Sequence, residues 1–232
     1  MKIMKYFSKT EIVLWTVSVT AIILSNCFFD SDNLLSLIAS LVGVTSLIFN
    51  AKGNPIGQVL MIVFSLMYGV ISYSFAYYGE MITYLGMTMP MSVLALVSWL
   101  KHPFKRNKAE VEVNTVGVKE QRFMWLLAAA VTLIFYFILK YFNTANLVAS
   151  TLSVTTSFVA VYLTFRRSPY YAIAYAANDV VLVVLWILAS FVNVRYVSVA
   201  VCFTAFLAND IYGYISWKRM KLRQDNICDD AK

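Results

Sequence analysis

The chain has 232 residues, of which 60% are hydrophobic, 16% aromatic and only 13% charged, and its mean hydropathy is +0.71. A soluble domain carries about 25% charged residues, so a water-solvated surface over most of this molecule is excluded and a polytopic membrane protein is implied. The net charge of +7 does not mark a nucleic-acid partner, because the basic residues fall between apolar segments rather than in one patch.

A helix needs about 20 apolar residues to cross the hydrocarbon core of a bilayer. Cutting the chain at its charges and turn residues predicts eight spans, at 12–28, 34–50, 56–78, 81–100, 122–140, 146–165, 169–192 and 196–217. The first run has no small-x-small cleavage site before Phe28, Phe29 and Asp30, so it reads as a mature helix rather than a removed signal. Short connections such as "FDSDN", "NAKGNP", "YYGE" and "FRRSP" make neighbouring spans antiparallel. The charged stretch 101–121 reads as a cytoplasmic linker between membrane units 1–100 and 122–217, with 218–232 as a cytoplasmic tail. Cys27, Cys202 and Cys228 have neither metal-ligand spacing nor a disulfide pattern.

Placing the N-terminus in the cytoplasm puts the groups at Lys2, Lys5 and Lys9, at Lys52, at 101–122, at Arg166 and Arg167, and at 218–232 on that side. Only Lys140 and Arg195 of the 19 Lys and Arg then lie outside. That bias is the positive-inside pattern, and it predicts a plasma-membrane protein with both termini cytoplasmic.

The two halves resemble each other. "SLIFNAKGNPIG" matches "VYLTFRRSPYYA": an apolar span, a basic tight turn, a proline and the next span. "LALVSWLKHPF" matches "YGYISWKRMKL", each closing on Ser-Trp before basic residues, and Trp15 and Trp125 open corresponding spans. A four-span unit begins and ends on the same side, so its copy enters the membrane in the same direction and the repeats are parallel.

Inside the spans only two acids lie away from the ends, Asp179 and Asp210. A buried acid in lipid costs several kcal/mol (about 2.5 or more), so it faces a bundle interior or a watery cavity. Helical spacing puts Tyr175, Asp179, Leu182 and Trp186 on one stripe with Asn178 beside it, and Phe206, Asp210, Gly213, Tyr214 and Trp217 on another with Asn209 beside it. The alternative is that each acid is satisfied by a Tyr, Ser or Asn of a neighbouring helix and serves packing. Gln58, Ser65 and Ser72 recur at sevens in the third span with Tyr68 flanking, while Tyr84, Thr88 and Met91 share a face of the fourth. There Pro90 deprives the Gly86 carbonyl of its helical donor. Glu80, in the turn before that span, reads as a solvated loop charge.

There is no GxxxxGK[ST] loop, and the single histidine, His102, lies in a basic loop. No cofactor or metal is implied. With no Lys or Arg deep in a span, a phosphorylated ligand lacks the cations it needs, which points to a neutral or cationic one. Aromatic rings beside a carboxylate suit a flat, positively charged ring.

The stretch "GNPIGQVLMIVFSLMYGVISYSFAYYGEMITYLGMTMPMSVLALVSWLKHPF", with "NDVVLVVLW" and "ANDIYGYISWK", resembles the PnuC-type vitamin transporters over roughly residues 34–223. The resemblance implies an all-α fold of about eight spans, with two parallel repeats in a three-plus-one-plus-three core akin to SWEET sugar transporters, preceded by an extra N-terminal helix. It implies a homotrimer in the lipid bilayer that takes up nicotinamide riboside by facilitated diffusion, made one-way by a cytoplasmic riboside kinase. Candidate substrate contacts are then Gln58, Tyr68, Tyr84, Thr88, Tyr175, Asn178, Asp179, Trp186, Asn209, Asp210, Tyr212 and Tyr214. The W-x-x-W spacing of other members is missing here, which keeps thiamine, riboflavin and deoxynucleosides open as ligands. A vitamin-capturing subunit of a larger pump, and a membrane enzyme built on Asp179 and Asp210, are the readings from other classes.

Overall fold

The computed structural model describes residues 6–74, 78–105, 107–144 and 146–229; the basic-residue assignments at Lys2, Lys5, Arg106 and Lys232 lie outside them. Eight helices among the described residues are long and apolar enough to span a bilayer. They are α1 (Lys9–Phe29), α2 (Leu34–Ala51), α3 (Ile56–Ser74), a broken fourth made of α4 (Tyr78–Thr83) and α5 (Met89–Lys101), α6 (Val118–Tyr141), α7 (Leu147–Phe165), α8 (Tyr171–Ser190) and α9 (Tyr196–Asp229). Where the sequence predicts a tail from residue 218, α9 runs on without a break to Asp229. The linker holds an antiparallel pair, β1 (Pro103–Phe104) and β2 (Asn107–Val111).

The fourth span changes its winding at Tyr84–Thr88, a π turn between α4 and α5. Pro90 lacks an N–H and crowds the preceding turn, and the backbone adjusts upstream: Met89 N–H donates to the Tyr84 carbonyl, five residues back. Thr88 Oγ1 donates to the Thr83 carbonyl (3.3 Å) over the same interval. Such π turns recur at functional sites.

Two triplets form the bundle. In the first, α3 packs on both α2 and α5; in the second, α8 packs on both α7 and α9. The triplets meet where α9 lies on α2 and α5 lies on α7, and α1 and α6 pack outside them. Helices in lipid gain little from hydrophobic transfer and rely on close packing. Gly43 permits such an approach: a Cβ there would strike the Phe206 ring of α9.

The two triplets interlock reciprocally at the linker end. Trp99 Nε1 of α5 donates to the Thr164 carbonyl of α7 (2.9 Å), and Trp217 Nε1 of α9 donates to the Asn50 carbonyl of α2 (2.7 Å). The preceding serines repeat the pattern: Ser98 Oγ reaches the Phe165 carbonyl (2.9 Å) and Ser216 Oγ the Ala51 carbonyl (2.7 Å). Both tryptophans are fully buried, with ring centroids 5.4 Å apart. The basic turns match as well. Gly53 and Arg167 occupy the left-handed region at φ 65° and 57°, and each basic turn is held to a glutamate of an outer helix, Lys52 to Glu11 (3.2 Å) and Arg166 to Glu120. The linker bridges the two turns, Val111 N–H donating to the Gly53 carbonyl and Asn114 N–H to the Arg167 carbonyl, both at 2.9 Å.

Candidate functional site

Asp179 lies eight residues into α8, about 12 Å from its linker end at a rise of about 1.5 Å per residue. Asp210 of α9 faces it, and the two buried carboxyls lie within hydrogen-bonding reach of each other. Ionised carboxylates are acceptors only, so two of them bond directly only with a proton between them. Asp179 Oδ2 is buried without a hydrogen-bond partner among the described residues.

Aromatic side chains surround this pair. Tyr171 and Tyr175 lie within electrostatic range of Asp210, and Tyr84 within range of Asp179. Tyr84 packs on Tyr68 with ring centroids 4.5 Å apart and on Phe64 at 5.8 Å. Phe203 and Phe206 of α9 close this group from the other triplet. Toward the end opposite the linker, Tyr68 and Trp186 both line a small cavity of about 20 Å³ with Asp30, Asn33 and Arg195. Burial pushes the Asp30 carboxyl above the ordinary carboxylate range, opposed by the Arg195 guanidinium.

Of the residues named from sequence, the structure thus gathers Tyr68, Tyr84, Tyr175, Asp179, Trp186 and Asp210 around one axis. Others turn elsewhere. Asn178 Oδ1 accepts from Ser153 (3.1 Å), Thr156 (2.8 Å) and Ser157 (3.0 Å) of α7. Asn209 Nδ2 donates to Ser18 Oγ of α1 (2.9 Å). Each amide sits one residue from its aspartate, about 100° around the helix, and so serves a different neighbour. Gln58 Nε2 donates to Asn50 Oδ1 (2.8 Å), and Thr88 is engaged within the π turn. Tyr214 lies against Tyr170 and Lys218 at the linker end. Tyr212, on the face of α9 away from Asp210, donates its hydroxyl to Glu11 Oε1 of α1 (3.0 Å). Tyr212→Phe is therefore expected to leave ligand affinity unchanged in calorimetry and to cost no more than about 1 kcal/mol of stability.

Sequence reasoning missed two features. Tyr171, fully buried against Trp217 at 4.9 Å, reads in sequence as one more tyrosine at a span boundary. Glu80, expected as a solvated loop charge, is instead in the first turn of α4 and half-buried. It lines a cavity of about 320 Å³ together with Trp186. The visible signal was an acid directly beside an apolar span; its covering comes from the α6–α7 loop.

Comparison with known proteins agrees with this architecture. Residues 33–219 match the family model described as "Nicotinamide mononucleotide transporter". The chain is 25% identical over 199 residues to the nicotinamide riboside transporter PnuC of Neisseria mucosa, covering 84% of this chain and 76% of that protein. A solved structure, the crystal structure of the vitamin B3 transporter PnuC, shares the fold with a TM-score of 0.81 at 22% identity, covering 94% of each chain. With eight membrane-length helices, this fold and a family match over most of its length, the chain is a multi-pass membrane transporter and belongs to the nicotinamide mononucleotide transporter family.

Proposed function

We propose that this chain carries nicotinamide riboside across the plasma membrane by facilitated diffusion, and that a cytoplasmic kinase traps the riboside by phosphorylating it. The observation that carries the substrate choice is the carboxyl pair of Asp179 and Asp210, buried beside Tyr84, Tyr171 and Tyr175. A pyridinium ring is flat and positively charged, so it gains both from a carboxylate and from aromatic faces. A mononucleotide adds a phosphate, which needs Arg or Lys for binding, and no Lys or Arg occupies the middle of a span. The name of the Neisseria relative supports the same choice.

Both termini are assigned to the cytoplasm from the bias of the basic residues, so the end of the bundle opposite the linker faces outward. Residues 1–100 and 122–217 are read as two parallel copies joined by 101–121; the reciprocal bonds of Trp99 and Trp217 support that division. The working unit is taken to be a homotrimer. The missing W-x-x-W pair leaves thiamine, riboflavin and deoxynucleosides as alternative ligands.

Purified protein in liposomes is expected to equilibrate labelled nicotinamide riboside without ATP or a proton gradient, and to carry the mononucleotide poorly. Accumulation that follows an imposed gradient excludes facilitated diffusion. Mononucleotide uptake at the same rate, or thiamine uptake in preference to both, excludes the riboside assignment.

A further inference from the structure

The end of the bundle opposite the linker holds a second place where a carboxylate and aromatic rings converge. The cavity of about 320 Å³ beside α4 is walled by Tyr78, Phe142 and Trp186, with Glu80 and Thr144 among its polar lining. The three rings come from α4, the α6–α7 connection and α8, so only the folded bundle assembles them.

Glu80 is not paired with a cation among the described residues. The ion pairs among the described residues join Lys52 with Glu11, Arg166 with Glu120, Arg195 with Asp32, and Arg223 with Glu110. A place in the first turn of α4 lets the helix dipole ease the burial of this charge, but it gives the charge no partner. Thr144 Oγ1, in the same lining, is buried with no hydrogen-bond partner among the described residues. A carboxylate, three ring faces and an unused hydroxyl together fit a ligand that is cationic, flat and hydroxylated.

The cavity also adjoins residues gathered around the carboxyl pair. Tyr84, one turn beyond Glu80, lies within electrostatic range of both Glu80 and Asp179. Trp186 lines this cavity and, with Tyr68, the small one beside it.

We propose that the Glu80 cavity is an outer docking site for the cationic nucleoside, in series with the Asp179–Asp210 pair. Glu80 opposes the charge of the ring, Trp186 or Phe142 covers its face, and Thr144 meets a ribose hydroxyl. The proposal rests on the riboside reading above. It makes Glu80 a selector for positive charge before the ligand reaches the middle of the membrane.

The test uses the full chain in liposomes and two probes, labelled nicotinamide riboside and its dihydro form, whose ring is uncharged. Glu80→Gln keeps the shape and removes the charge. It is expected to raise the half-saturation concentration for the riboside roughly 2- to 5-fold, the range for a partly solvated ion contact, with maximal rate and dihydro-riboside uptake unchanged. Glu80→Asp, which keeps the charge, is expected to recover most of the loss. An unchanged half-saturation concentration in Glu80→Gln overturns the proposal, and so does an equal loss for charged and uncharged probes, which assigns Glu80 to folding. Absence of riboside uptake by the unsubstituted protein overturns the substrate reading itself.

Discussion

Replacing Asp179 by asparagine is expected to weaken nicotinamide riboside binding roughly 10- to 100-fold, since a charge-assisted partner contributes about 1.5–3 kcal/mol. The side chain is 3% exposed, so little solvent screening reduces the effect. Asparagine has nearly the same shape and still pairs with Asp210 through its amide, so expression and melting temperature should stay close to those of the unsubstituted protein. Asp210→Asn should act in the same direction, because it too removes one carboxyl of the buried pair. The dihydro-riboside, which lacks the ring charge, should lose much less affinity. Titration calorimetry on the purified variants reads all of these values. Unchanged riboside affinity in a well-folded Asp179→Asn protein would mean that the two acids serve helix packing alone.

Trp217→Ala is expected to be the most destabilising single change outside the binding axis, at about 3 kcal/mol or more. The ring is fully buried against Trp99 and Tyr171, and truncation leaves a cavity where the two triplets interlock. It also removes one of the donors to the Asn50 carbonyl, which accepts from Trp217 Nε1 and from the Gly53 N–H. Trp217→Phe keeps most of the ring and loses chiefly the bond, at about 1 kcal/mol. The reciprocal geometry predicts that Trp99→Ala and Trp99→Phe fall in the same order by similar amounts. Because the two rings touch, the double alanine variant should depart from additivity by roughly 0.5–3 kcal/mol. Thermal unfolding in detergent, followed by intrinsic fluorescence of the remaining tryptophans, supplies the measurement. A melting temperature barely moved by Trp217→Ala would remove the interlock as a source of stability.

Local features of the sequence marked out much of this molecule. The eight spans follow from the length of apolar runs, and the basic turns at 52–55 and 166–169 follow from charge and proline. The matching of Trp99 with Trp217 follows from the repeated Ser-Trp motif. Asp179 and Asp210 stood out because an acid cannot face lipid without a large cost. Pro90 marked the fourth span as irregular, though not how the chain would accommodate it: the π turn at Tyr84–Thr88 depends on how α4 and α5 pack.

What only the tertiary structure decided is direction. Periodicity ranks residues around each helix but leaves the helix free to rotate against its neighbours. Packing set those rotations so that Asp179 meets Asp210, while Asn178 and Asn209 turn to α7 and α1. The same packing sends Tyr212 to Glu11 and sets the α6–α7 connection over Glu80. Composition and spacing determined which groups must be sheltered from lipid; which partners shelter them is a long-range contact, and no local pattern encodes it.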